Sequence, residues 1–200
     1  MIYYLITFLS FIFIWLSIVV SLNKEIVIKF DTNILSYFHN IQNKMFDKFY
    51  ETITWFGSLW VILPLYTFIM IFLFRSGYKN ILSLNIMFFG AIGTTYAIKY
   101  LMDRKRPEVF ETIGDLPFDP SFPSGHTTQI TIFCLLLGFL MFELDVTNKL
   151  IYIFLLFMIF SFVISSRIYL QVHFFSDILG GILVSMIWFL IGMKLISKGV

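Results

Sequence analysis

The sequence predicts an all-α polytopic membrane protein, with six transmembrane helices in one bundle and an interfacial amphipathic helix. Three observations predict it. Of 200 residues, 59% are hydrophobic and only 13% charged, where soluble domains run at about 45–50% and about 25%. The mean hydropathy is +0.89. Six stretches, at 2–22, 55–74, 81–101, 125–143, 150–169 and 178–196, approach the roughly 20 apolar residues that a helix needs to cross a bilayer. This composition excludes a soluble globular domain, a disordered chain and a coiled coil. A net charge of +2 offers no large basic surface to a nucleic acid. The single cysteine, Cys134, lies in an apolar run. It forbids an intramolecular disulfide and reads as a small buried apolar side chain.

The first span has no basic residue ahead of its apolar run and no small-residue cleavage site after it. It is also long for a leader, so it reads as an uncleaved anchor. A long polar gap follows. Within it, residues 36–52 set Phe38, Ile41, Met45, Phe46 and Phe49 at helical spacing. His39, Asn43, Lys44, Asp47, Lys48 and Glu51 fall on the other side. That pattern predicts one amphipathic helix in the headgroup region, with His39 a solvated surface histidine. Trp55 and Trp60 open the second span as an interfacial belt. Gly90, Gly93, Gly180 and Gly181 suit close helix packing. With no internal repeat, residues 1–200 read as one domain.

Ionisable groups beside membrane spans are costly and need a reason. Three clusters stand out. In the first, Lys99 and Arg106 are seven residues apart and share a helix face if the third span continues that far. Pro107 disfavours helix just before it. Two stacked cations make a phosphate clamp, or else they are snorkelling cations at an interface. The second is Pro123-Ser124-Gly125-His126, directly before the fourth span. Ser124 is a candidate N-cap, and the amides after it would bind an anion. Gly125 allows close backbone approach, and His126 can hold or donate a proton. A plain capped helix start is the structural alternative. The third runs from Ser166-Arg167 to His173 and Asp177. Four residues apart in a helical turn, the carboxylate would lie beside the imidazole and make its other nitrogen a better nucleophile. A structural His–Asp pair is the alternative here.

With six spans, the gaps after spans one, three and five face one side of the membrane, and all three clusters fall at gaps three and five. Together they supply cations, helix-start amides and two histidines, one with a carboxylate partner. Phosphoryl transfer to a histidine requires that set.

The pattern Lys-x6-Arg-Pro, Pro-Ser-Gly-His and Ser-Arg-x5-His-x3-Asp resembles the type 2 phosphatidic acid phosphatase (PAP2) superfamily. Here it stands as Lys99 to Pro107, Pro123 to His126, and Ser166 to Asp177. The resemblance implies a PAP2-like helical bundle acting as a lipid phosphatase. His173 would be the nucleophile that forms a phosphohistidine, Asp177 its orienting group, and His126 the general acid. Lys99, Arg106, Ser124, Gly125 and Arg167 would hold the phosphate. It implies no metal and no cofactor, and no carboxylate cluster offers a Mg²⁺ cage. The partners implied are a membrane lipid and the bilayer, with no nucleic acid and no obligatory protein partner. Small bacterial members act on undecaprenyl diphosphate, phosphatidylglycerophosphate, phosphatidic acid or a lipid A phosphate. The first two are favoured here. The resemblance also places the protein in the cytoplasmic membrane with its active site on the extracytoplasmic face.

Other residues have milder expectations. Asp103 would pair with Lys99. Glu108, Glu111, Asp115 and Asp119 would form a solvated loop, with a role in headgroup choice as the alternative; Gln129, one turn beyond His126, would pack within its helix, with reach to a substrate as the alternative.

Overall fold

The structure, a computed structural model, describes residues 2–22 and 24–199. Among these residues all regular structure is helical. In chain order the helices are α1 (Ile2–Ser21), α2 (Glu25–Asn40) and α3 (Lys44–Ile53). A 3₁₀ turn, Thr54–Gly57, leads into α4 (Leu59–Arg75). Then come α5 (Ile81–Met102), α6 (Gly125–Glu143), α7 (Lys149–Tyr169) and α8 (Phe175–Ile196).

The amphipathic helix expected over 36–52 is two helices. α2 starts about three turns earlier, at Glu25, and stops at Asn40. Asn43 is extended (φ −160°, ψ 157°), and its side chain accepts from the N–H groups of Met45 and Phe46, each at 3.1 Å. It is therefore the N-cap of α3. The apolar period runs on through the break, so the pattern alone reads as continuous. α3 then settles against α7, with Phe49 on Phe162 (5.3 Å) and Tyr50 stacked on Tyr169 (4.2 Å). His39 is exposed, but its ring stacks on Phe110 at 4.0 Å.

Among the described residues five helices are long and apolar enough to cross a membrane; α4, of 17 residues, makes a sixth span when counted with the segment before it, from which it bends by 41°. The third span ends at Met102, short of Arg106. Asp103 takes the left-handed conformation (φ 43°) and donates its N–H to the Lys99 carbonyl at 2.9 Å. Lys99 and Arg106 therefore do not share a helix face, contrary to expectation. The last span starts at Phe175, so Asp177 lies in its first turn.

α8 is the spine of the bundle, packed against α1, α5 and α6, while α7 lies along α6. Large apolar side chains such as Phe11, Phe68, Leu101 and Phe154 face outward, as they must against lipid. In lipid, helices associate through close packing and hydrogen bonds rather than hydrophobic burial. Both are present. Thr95 and Thr128 share a hydroxyl hydrogen bond at 2.9 Å, Ser185 donates to the Thr128 carbonyl at 3.0 Å, and Trp188 donates to Thr94 at 2.9 Å. A Cβ on Gly181 would sit 2.8 Å from the Ser124 carbonyl oxygen, so this glycine lets α8 touch the start of α6. Gly90 lies against Trp188 and Gly180 against Phe122, but among the described residues nothing lies within 4 Å of a Cβ on Gly93, so packing does not require a glycine there. At one end of the bundle the last turns of α5 and α7 meet the first turns of α6 and α8. The Ser124 N–H donating to the Asp177 carbonyl at 3.0 Å ties the two starts together.

Candidate active site

That end of the bundle holds the three sequence clusters. His173 sits in the short connection between α7 and α8, 2% exposed. Its Nδ1 faces Asp177 Oδ2 and Ser121 Oγ, each at 3.3 Å. Ser121 donates its own proton to the same carboxylate at 2.5 Å, and the Phe174 N–H donates there at 2.9 Å. On the other side of the ring, Arg106 Nη1 donates to Nε2 at 3.1 Å. These partners assign the tautomer: Nδ1 carries the hydrogen, and Nε2 presents a lone pair. Burial, with Arg106, Lys99 and Arg167 nearby, pushes the imidazole well below its ordinary value. That direction leaves the ring neutral at pH 7.

Asp177 is fully buried and also receives Arg104 Nη1 at 2.5 Å. The same guanidinium donates to Ser176 Oγ (2.7 Å) and to Asp31 Oδ2 (3.0 Å), and lies 4.2 Å over the Phe174 ring. Asp31, on α2 and also fully buried, accepts from the Ser176 N–H (2.9 Å) and hydroxyl (2.6 Å). Arg104 thus bridges α2 to the carboxylate that holds His173.

Lys99 and Arg106 meet through Asp119. The Lys99 ammonium, 1% exposed, lies 2.9 Å from Asp119 Oδ2 and also donates to the Pro120 carbonyl. Arg106 Nη2 donates to Asp119 Oδ1 at 2.7 Å, while its Nε reaches the Asp119 carbonyl and its Nη1 the Val172 carbonyl. Burial alone would push the Asp119 carboxyl up, but Lys99 and Arg106 together bring it below the usual carboxylate value. Lys99 does not pair with Asp103, and Asp119 is not a solvated loop residue.

A cavity of about 440 Å³ opens at this centre, and its wall includes Gly125, His126, Arg167, Arg106, His173 and Asp119. Gln129 lines it too, its Oε1 buried without a partner, so its side chain is not merely helix packing. Arg167 Nη1 donates to Thr54 at 2.5 Å, and its Nε has no partner. Gly57 brings the 3₁₀ turn against His126, since a Cβ there would lie 3.3 Å from the imidazole. Ser124 is buried, and its hydroxyl accepts from Thr127 Oγ1 at 3.0 Å and from the Thr127 N–H at 3.5 Å. It caps α6 and lies behind the cavity wall. Among the described residues no three His, Cys, Asp or Glu side chains converge on a metal position.

Sequence reasoning brought His173, Asp177, His126, Lys99, Arg106, Ser124, Gly125 and Arg167 together, and the fold gathers them at one end of the bundle, with Ser124 capping α6 instead of lining the cavity. It missed Asp31, Arg104, Ser121 and the bridging role of Asp119. Arg104 and Ser121 stand two residues before Arg106 and Pro123, a proximity that could have raised them. Asp31 carried no local signal.

Buried cations, a capped helix start and two histidines at one end of a lipid-embedded bundle define a membrane phosphoric ester hydrolase. The chain belongs to the PAP2 superfamily, whose family model matches residues 80–199. In fold it is similar to the transmembrane PAP2-type phosphatidylglycerolphosphate phosphatase from Bacillus subtilis, with a TM-score of 0.84, 22% identity and 96% of each chain covered. It is also similar to LpxE from Aquifex aeolicus, with a TM-score of 0.67 and 24% identity over 82% of this chain and 95% of that one. No curated protein sequence matches it.

Proposed function

We propose that the protein removes phosphate from a membrane lipid, without a metal, through a phosphohistidine. The favoured substrates are undecaprenyl diphosphate and phosphatidylglycerophosphate. The second accords with the phosphatidylglycerolphosphate phosphatase that the chain resembles in fold. Phosphatidic acid and a lipid A phosphate are alternatives within the same chemistry. One observation carries the reading. His173 has one nitrogen tied to Asp177 and the other turned toward Arg106, in a cavity that His126 also lines.

In the first step His173 Nε2 attacks phosphorus and the bond to the lipid oxygen breaks. His126 gives that oxygen its proton. In the second step water attacks the phosphohistidine, His126 takes the proton, and the P–N bond breaks to release phosphate. Lys99, Arg106, Arg167 and the first amides of α6 offset charge on the equatorial oxygens. Asp177 stabilises the imidazole as it bonds to phosphorus. The site faces the extracytoplasmic side of the cytoplasmic membrane, with both termini inside, and residues 1–200 act as one domain.

The test is phosphate release by purified protein in detergent with EDTA present. The panel is undecaprenyl diphosphate, phosphatidylglycerophosphate, phosphatidic acid, a lipid A phosphate and a soluble sugar phosphate. Release from a lipid is expected, and it is lost in His173→Ala while the fold is kept. Robust release by His173→Ala would sink the phosphohistidine. No release from any lipid by well-folded wild type would make the protein a lipid-phosphate binder or transporter.

A further inference from the structure

The phosphate clamp is already occupied by an anion of the protein's own. Both Asp119 carboxylate oxygens are engaged, one by Lys99 at 2.9 Å and the other by Arg106 at 2.7 Å. Two cations on adjacent oxygens of one small anion is the arrangement that a substrate phosphate would take. Four of the five Arg106 N–H groups are committed: Nε to the Asp119 carbonyl, Nη1 to Val172 and His173, and Nη2 to Asp119. Lys99 likewise spends two donors on Asp119 and Pro120 of the three it has. One N–H is left on each cation, so an incoming phosphate competes with the carboxylate for the clamp.

We infer that Asp119 is a positioning residue that holds the phosphate seat between turnovers and is displaced by the incoming phosphate. The inference rests on the reading of this site as a phosphatase. Two features suit the role. The carboxylate neutralises two buried cations that would otherwise lie side by side, and so keeps the empty clamp assembled. It is carried by the irregular 103–124 connection at the surface, beside a wholly exposed Phe118, so it can swing aside without moving a helix. The same competition works on the product. A carboxylate returning to Lys99 and Arg106 helps expel inorganic phosphate, an anion that the clamp would otherwise hold tightly. Asp119 thus weakens ground-state anion binding and lets the clamp reset.

The test uses inorganic phosphate as the probe with purified wild type, Asp119→Asn and Asp119→Ser in detergent. Phosphate affinity is read from the phosphate dependence of the thermal unfolding midpoint, which needs no turnover. Product inhibition of lipid hydrolysis is read in parallel. Removing a like charge at contact distance should tighten phosphate binding at least about tenfold in both variants. Inhibition by phosphate should begin at correspondingly lower concentration, and KM for the lipid should fall. A structural role predicts the opposite sign, because a clamp that loses its organising anion binds phosphate more weakly. Unchanged or weaker phosphate binding in folded variants would overturn the inference. So would failure of both variants to fold, or no phosphate binding by any of the three proteins. If wild type hydrolyses no lipid, the phosphatase reading fails alone, and the phosphate titration still decides the role of Asp119.

Discussion

Replacing Arg104 with glutamine tests how the bundle holds the carboxylate beside His173. Arg104 does not line the 440 Å³ cavity. It does place one guanidinium between two fully buried carboxylates, 2.5 Å from Asp177 and 3.0 Å from Asp31. Without it, Asp177 keeps Ser121 and the Phe174 amide, and Asp31 keeps both donors of Ser176. Every oxygen except Asp177 Oδ1 retains a hydrogen bond, but no cation separates the two charges. Breaking a buried pair in this way costs about 3–5 kcal/mol, a large part of an ordinary folding margin of about 5–15 kcal/mol. Arg104→Gln should therefore fold with a marginal stability, measured by unfolding in detergent. Adding Asp31→Asn removes one of the orphaned charges and should recover about 1–3 kcal/mol. In phosphate release, Asp177 held loosely misplaces His173, so kcat should fall about a hundredfold while KM stays close to wild type. A stable Arg104→Gln with wild-type kcat would refute the positioning role. So would a change confined to KM, which would put Arg104 on the substrate.

The two histidines carry three further predictions. His126→Ala should lose most lipid hydrolysis yet keep turnover of an aryl phosphate, whose phenolate leaves without a proton; equal losses on both substrates would remove His126 from the acid role. His173, held below its ordinary value of 6.5 by burial and then by Arg106, stays unprotonated in the empty enzyme at pH values where a free histidine is charged. The acid limb of kcat/KM that reports His173 should therefore lie below pH 6.5, and a limb at or above that value would contradict the buried neutral imidazole. The sign also applies to stability. The unfolded chain takes up a proton near pH 6.5 that the folded chain refuses, so this contribution is present above pH 6.5 and is lost as the pH falls below it.

Most of the spans were legible because lipid leaves the chain few options. A run of about 20 apolar residues must satisfy its own backbone, and helix is the way to do so. Errors arose where the chain leaves the hydrocarbon. Asn43 looked like one more polar position on an amphipathic face, yet its side chain outcompetes the helix for two amides and starts a new one. Met102 ends α5 because Asp103 turns left-handed, and no apolar count registers that turn. The motif residues were legible as types at fixed spacing. Their neighbours in space were not, because the fold makes those pairs across long stretches of chain. Arg106 meets Asp119 thirteen positions on, and Arg104 meets Asp31 and Asp177, each 73 positions away.

Charge balance explains which residues were missed. Lys99, Arg106 and Arg167 lie buried at one end of the bundle, and without an anion between them such a cluster repels itself. The fold answers with acids, and each has a different duty. Asp177 is held rigidly by Arg104, Ser121 and a backbone amide, which suits a group that must keep an imidazole in one orientation through the reaction. Asp31 is as deeply buried and holds Arg104 and Ser176. Asp119 is 27% exposed and sits on an irregular connection, which suits a counter-ion that must leave. Reading a buried cation cluster as a demand for counter-ions would have singled out Asp119, the acid nearest the Pro-Ser-Gly-His turn. Whether each acid is fixed or free to move then separates those that hold His173 from the one proposed to yield to phosphate.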